Sequence, residues 1–217
     1  MDWTATLSVI AIITSFSSQF IGIEICFHIV RNGSTGEMSP VPFVAYFISA
    51  CLWLKYGLMS NITSVTLTSG LGSLLQFLYI CVYYIYSKKK HQVHCILLLG
   101  TVILFTPLIY IQYFERDGDV ALRNLGLICS GISILCYASP LATLSKVIEH
   151  KSTESMSFYL CFINFLCGLQ WTLYGVAIND NVVIIPNAFG IILGLIQFYL
   201  FCIYGCKNSK TASVLTA

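Results

Sequence analysis

Charge is what this sequence has least of: Asp, Glu, Lys and Arg make up 9% of its 217 residues, where a soluble globular domain carries about 25%. A chain so poor in charge cannot clothe a water-facing surface. With 57% hydrophobic residues and a mean hydropathy of +0.83, the bulk of it must face lipid. The net charge is only +2, with no basic arm and no acidic tail, so no nucleic-acid partner is expected. Chemistry-bearing clusters are missing as well. His28, His91, His94 and His150 are scattered, no CxxC pairs with a histidine, and no nucleophile–base pair emerges. Nothing here implies an enzyme, a metal or a cofactor. Cysteine is plentiful, at ten, but Cys51, Cys81, Cys129, Cys161, Cys167 and Cys202 sit inside apolar runs. There they read as small hydrophobes, not as a disulfide framework.

What the chain does have is long apolar runs. Seven of them, at roughly 5–30, 41–60, 62–87, 93–113, 121–147, 158–178 and 182–205, are near the 20 residues a membrane-spanning helix needs. The first lacks a basic leader and runs too long for a signal peptide, so it reads as a retained helix. The connections are short. Alternate loops place Arg31, Lys88, Lys89, Lys90, Lys146, Lys151, Lys207 and Lys210 on one side, against Lys55, Arg116 and Arg123 on the other. By the positive-inside rule the basic side is cytoplasmic, with the N-terminus outside or luminal and the C-terminus inside. The sequon Asn61-Ile62-Thr63 falls on the outer side, tight against the membrane, and is expected to be unused.

Two of these runs end alike: "LWLKYG" at 52–57 and "QWTLYG" at 170–175 share Trp-x-x-Tyr-Gly 118 positions apart. The same offset carries Ser34-Thr35-x-x-Met38-Ser39 onto Ser152-Thr153-x-x-Met156-Ser157, Phe47 onto Phe165, Asn61 onto Asn179 and Gly72 onto Gly190. One register held without a gap through a loop, two helices and their turn is a duplication. Each copy spans three helices. Three is odd, so directly joined copies would run in opposite directions, and the unmatched fourth helix restores the direction. The expected fold is an all-α membrane protein with seven transmembrane helices, built as two parallel three-helix repeats and a linker helix. Its divisions are residues 1–90, 91–118 and 119–206, with a cytoplasmic tail at 207–217.

In these residues the chain resembles the SWEET family of sugar transporters, in its animal-type members. The second repeat carries the likeness in "SPLATLSKVIEHKSTESMSF", "QWTLYG" and "DNVVIIPNAFGIILGLIQ", the first in "VPFVAYFISACLWLKYG" and "GSLLQFLY". SWEETs are known as parallel-repeat transporters, so the architecture agrees. The resemblance implies a facilitative, bidirectional carrier of a small sugar in the plasma membrane or the Golgi. It also implies rocking of two bundles about a midplane site, and assembly as a homo-oligomer among membrane lipids.

A sugar has no charge, only hydroxyls around its rim and C–H patches on its faces. Its site needs flat aromatic surface and a few neutral hydrogen-bonding groups. Trp53 and Trp171 are repeat equivalents, as are Ser69 and Asn187, and these four are the expected substrate-binding residues. Family members commonly carry Asn at both polar positions, so Ser69 is a departure, with a shorter reach. The resemblance implies four hinge prolines; this chain has Pro42 and Pro140, with Gly22 and Ser157 in the other places. Tyr56, Tyr174 and Asp180 resemble an extracellular gate. Each assignment has a plainer counterpart: interface anchors for Trp and Tyr, helix–helix hydrogen bonding for Asn187, an ordinary helix start for Pro42.

Two charges lie within the runs. Lys55 can snorkel outward. Glu24, close to His28 and Arg31, is either a proton site or part of a solvated inner vestibule. Passive transport requires no proton. The rival readings are a PQ-loop exporter of amino acids or other metabolites, which would want a charge in its pocket, and a seven-helix receptor, which has no such internal repeat.

Overall fold

The computed structural model describes residues 3–19 and 21–205; the tail expected over 207–217, with Lys207 and Lys210, lies outside them. Regular structure among the described residues is helical throughout. The elements are α1 (Trp3–Gln19), α2 (Ile21–Asn32), α3 (Val41–Met59), α4 (Thr63–Tyr86), α5 (Lys90–Ile109) with a π-helical end at Tyr110–Phe114, α6 (Gly118–Cys136), α7 (Ala138–His150), α8 (Phe158–Ala177) and α9 (Asn181–Tyr204). By length and composition they make seven membrane-capable spans, because α1 with α2, and α6 with α7, form one span each. All seven agree with the expected stretches to within one helical turn. Their outward side chains are apolar: Phe27 is 75% exposed, Leu98 69% and Tyr113 77%. In water that surface would be a liability; against acyl chains it costs nothing.

The duplicated residues turn out to be the ones that shape the backbone. In both interrupted loops a buried threonine opens the same turn, with Met38 N–H donating to Thr35 O at 3.1 Å and Met156 N–H to Thr153 O at 2.9 Å. At the ends of α3 and α8, Asn61 (φ 55°) and Asn179 (φ 57°) take the left-handed conformation that asparagine tolerates better than most residues. This lets Ile62 N–H reach back to Gly57 O (3.0 Å) and Asp180 N–H to Gly175 O (2.9 Å), the Schellman closure of a helix C-terminus. The glycine of each Trp-x-x-Tyr-Gly has its own purpose. A β-carbon on Gly57 would lie 2.8 Å from the backbone nitrogen of Thr66, and one on Gly175 3.2 Å from that of Ile184. Only glycine lets α3 meet α4, and α8 meet α9, this closely.

The fifth span is broken. Pro140 has no N–H to offer the carbonyl of Cys136, so α6 ends there. Tyr137 N–H turns instead to Ile134 O at 3.0 Å, and the ladder resumes with Leu141 N–H to Tyr137 O. Residue 22, the repeat equivalent of Pro140, is a glycine within α2.

Packing divides the chain into two compact units, Ser15–Ile132 in one and Met1–Thr14 with Ser133–Ala217 in the other. The two cuts are again 118 positions apart. The first turns of α1 belong with α7, α8 and α9, where the Thr14 hydroxyl donates to Gln170 Oε1 on α8. The linker helix α5 belongs with α3: at Gly100 a β-carbon would stand 2.7 Å from Val44 Cγ1.

Candidate functional site

Each repeat carries a matching set of candidate residues, one in each compact unit. In the first, Trp53 is half-buried on α3 and meets Tyr56 edge-to-face, with ring centroids 5.5 Å apart at 82°. In the second, Trp171 on α8 meets Tyr174 at 5.7 Å and 85°. The spacing i, i+3 puts each Tyr one turn beyond its Trp, and both tyrosines are buried. The T-shaped contact fixes the indole planes.

The polar positions lie on the neighbouring helices. Ser69 is half-buried on α4. Asn187 is half-buried on α9, directly after Pro186, and its Nδ2 donates to Val183 O one turn back at 2.7 Å. That bond holds the amide against its own helix. A second N–H and the Oδ1 acceptor are left over from this bond, which is the neutral, two-sided capacity that a hydroxyl group matches. Opposite Asn187, Gly168 on α8 brings the helices together: a β-carbon there would be 3.1 Å from Asn187 O.

Two further residues escaped the sequence reading. Gln19 and Tyr137 are repeat equivalents, three positions before Gly22 and Pro140. A β-carbon on Gly72 would be 2.7 Å from Gln19 Nε2, and one on Gly190 would collide with the Tyr137 hydroxyl. Gly72 and Gly190 lie one turn after Ser69 and Asn187, so both side chains reach the level of the candidate polar groups. The Tyr137 hydroxyl also approaches Pro186 O, at 3.4 Å. The glycine match at 72 and 190 was the available signal. It pointed to a close approach without saying what approached.

The four hinge candidates fall in different settings. Pro140 lies in the first turn of α7, just after the break at Tyr137. Gly22 is packed under the ring of Tyr79, whose hydroxyl donates to Gln19 O at 2.9 Å. Pro42 is the second residue of α3, and Ser157 is the N-cap of α8, where it accepts from Leu160 N–H at 3.5 Å. Of the gate candidates, Asp180 caps α9, its Oδ1 accepting from Val182 N–H at 2.8 Å and Val183 N–H at 3.3 Å. Lys55 donates to Gln112 Oε1 at 3.3 Å, and Glu24 is exposed on α2. No charged side chain belongs to either Trp–polar set.

The helices and their repeats define a multi-pass membrane protein of the kind built from two three-helix units and a linker. Comparison with known proteins makes this specific. The family model for "Sugar efflux transporter for intercellular exchange" matches twice, at residues 5–91 and 123–209, the same 118-residue offset. A Sugar transporter SWEET1 of Drosophila pseudoobscura pseudoobscura is 33% identical over 91% of this chain and 88% of its own. The mouse Sugar transporter SWEET1 is 33% identical over 87% and 85%. The Arabidopsis thaliana Bidirectional sugar transporter SWEET1 is 33% identical over 89% and 81%. A solved eukaryotic SWEET transporter superposes with a TM-score of 0.84 at 25% identity, covering 93% of this chain and 96% of that one. The chain belongs to the SWEET family of sugar transporters, which is a family of carriers and not an enzyme class.

Proposed function

We propose that this protein carries a small sugar, a monosaccharide of the glucose type, downhill and in either direction, by alternating access around a site at the mid-depth of the membrane. The observation that supports this most is that each repeat carries an indole held edge-to-face by a tyrosine and, on the next helix, an uncharged polar group. Trp53 with Ser69, and Trp171 with Asn187, offer C–H stacking surface and neutral hydrogen bonding without a net charge. An exporter of amino acids would have to meet an ammonium and a carboxylate, and these sets hold no ion to do so. The relatives named as sugar transporters favour the same substrate class.

In this reading Gly22, Pro42, Pro140 and Ser157 absorb the bending that opens one side and closes the other. Tyr56, Tyr174 and Asp180 close the outer side. The repeats 1–90 and 119–206 are the moving halves, 91–118 links them, and the basic loops stay in the cytoplasm. The carrier works as a homo-oligomer in the plasma membrane or the Golgi. Radiolabelled glucose uptake by cells expressing Asn187→Ala is the test. Loss of uptake at unchanged membrane abundance supports the substrate-binding role. Retained uptake, or loss of the protein itself, assigns Asn187 to helix packing.

A further inference from the structure

The Ser15–Ile132 unit contains a concavity that a polar solute has no use for. Helices α3, α4 and α5 part to leave a cavity of about 560 Å³, within the range of about 300–1,000 Å³ typical of small-molecule sites. Its walls are hydrocarbon, with Val44 and Ile48 from α3, Ile80 from α4 and Leu97, Leu104 and Phe105 from α5. Sugar hydroxyls would find almost nothing there to bond. Along α5 the cavity extends from His94 to Phe105, about 16 Å at 1.5 Å per residue. That is close to half of the about 30 Å hydrocarbon thickness of a bilayer. The cavity is therefore one leaflet deep, and its surface opening is marked by Phe77, Ile85 and Phe105, each more than half exposed.

Its two ends differ. One is wholly apolar, and the other carries the most basic loop of the chain. There the Tyr84 hydroxyl is hydrogen-bonded with His94 Nε2 at 2.8 Å. Lys90 Nζ stands 4.2 Å from the centre of the Tyr84 ring and donates to Tyr84 O and to Ile85 O, the latter at 3.2 Å. Lys88 is exposed in the same loop. Glu37 is bridged by Lys89 at 3.3 Å. A chain-shaped apolar slot ending near Lys88 and Lys90, which form no ion pair with an acid among the described residues, matches a molecule with one long hydrocarbon tail per slot and a negative head.

We propose that this cleft is a binding site for an anionic glycerophospholipid of the leaflet on the basic-loop side. One acyl chain lies between α3, α4 and α5, and the head-group phosphate and carboxylate meet Lys88, Lys90 and the Tyr84–His94 pair. Basic residues next to a membrane span attract anionic lipid on charge alone; the cleft adds a place for the tail, so the lipid is held and not merely attracted.

The test is lipid retention by the full-length protein, reconstituted in nanodiscs, extracted into mild detergent and weighed by native mass spectrometry. Nanodiscs of palmitoyl-oleoyl phosphatidylcholine are compared with nanodiscs that also contain the phosphatidylserine analogue. A single retained phosphatidylserine in preference to phosphatidylcholine is expected. Lys88→Gln and Lys90→Gln should each weaken that retention about fivefold, and Thr101→Trp should remove it by filling the cleft. Lys88 lies in an exposed loop, so its variant remains informative if the tryptophan variant fails to fold. Equal retention of the two lipids, indifference to the lysine changes, or a protein dimer that occludes the cleft would each overturn the proposal.

Discussion

Tyr137 and Gly190 stand so close that a β-carbon on the glycine would collide with the tyrosine hydroxyl, although 53 residues separate them in the chain. Gln19 and Gly72 repeat the relationship at the same separation in the other copy. In each, a side chain rests in a notch one turn beyond a candidate sugar-binding residue, and Tyr137 does so from the break between α6 and α7. Gly190→Ala should lower stability by about 1–3 kcal/mol, as overpacking of a filled core does. Tyr137→Phe removes the colliding oxygen, so the double variant should recover part of that loss. Melting of the purified variants checks this, and simple additivity of the two effects would show that the residues do not meet.

The αL asparagines give a second test. Asn179→Val places a β-branched residue at φ 57° and should cost about 1–2 kcal/mol, while Asn179→Gly should be nearly neutral. Equal melting temperatures for the two variants would mean that the turn does not need the left-handed residue. The same contrast is expected at Asn61.

Asp180 separates a structural from a gating role. Its carboxylate caps α9, so Asp180→Ala should lose about 0.5–2 kcal/mol of stability, and Asp180→Asn should keep the cap. A gate that closes through the carboxylate's charge would still be altered in Asp180→Asn. Transport kinetics changed at wild-type stability would support the gate; unchanged kinetics would leave Asp180 as a cap.

Much of the fold was legible because its instructions are local. Seven apolar runs announce seven spans, since a membrane selects for length and hydropathy directly. The repeat could be read because Thr35, Gly57, Asn61 and their partners 118 residues on are dictated by backbone geometry, and geometry constrains residue type narrowly. Gln19 and Tyr137 were hidden for the opposite reason. They share a position and a notch to fill, but unlike side chains can fill it. The capping of α9 by Asp180 has a sequence signal of its own, an acid directly before an apolar run. The grouping of residues 1–14 with 133–217 rests on contacts between distant parts of the chain, such as Thr14 with Gln170, which no window of sequence displays.

The indoles should limit the size of the substrate. Trp53 and Trp171 are the bulkiest side chains available, and each is fixed by its Tyr neighbour. Competition of unlabelled glucose, galactose and sucrose against labelled glucose should show sucrose to be the poor competitor. Trp53→Asn or Trp171→Asn should weaken monosaccharide transport and relax the discrimination against the disaccharide. Sucrose competing as well as glucose in the wild type would remove the indoles as the gauge of the site.

The central claim is that an uncharged site moves sugar without coupling to protons, and one measurement addresses it most directly. Purified protein in proteoliposomes is given radiolabelled glucose, with and without an acid-outside pH gradient, and internal sugar is followed to its plateau. The same plateau is expected in both cases, at equal concentrations inside and out. Glu24→Gln should leave that plateau unchanged. Accumulation above the external concentration under the acid gradient, lost in Glu24→Gln, would contradict the claim and make the exposed carboxylate of α2 a coupling site.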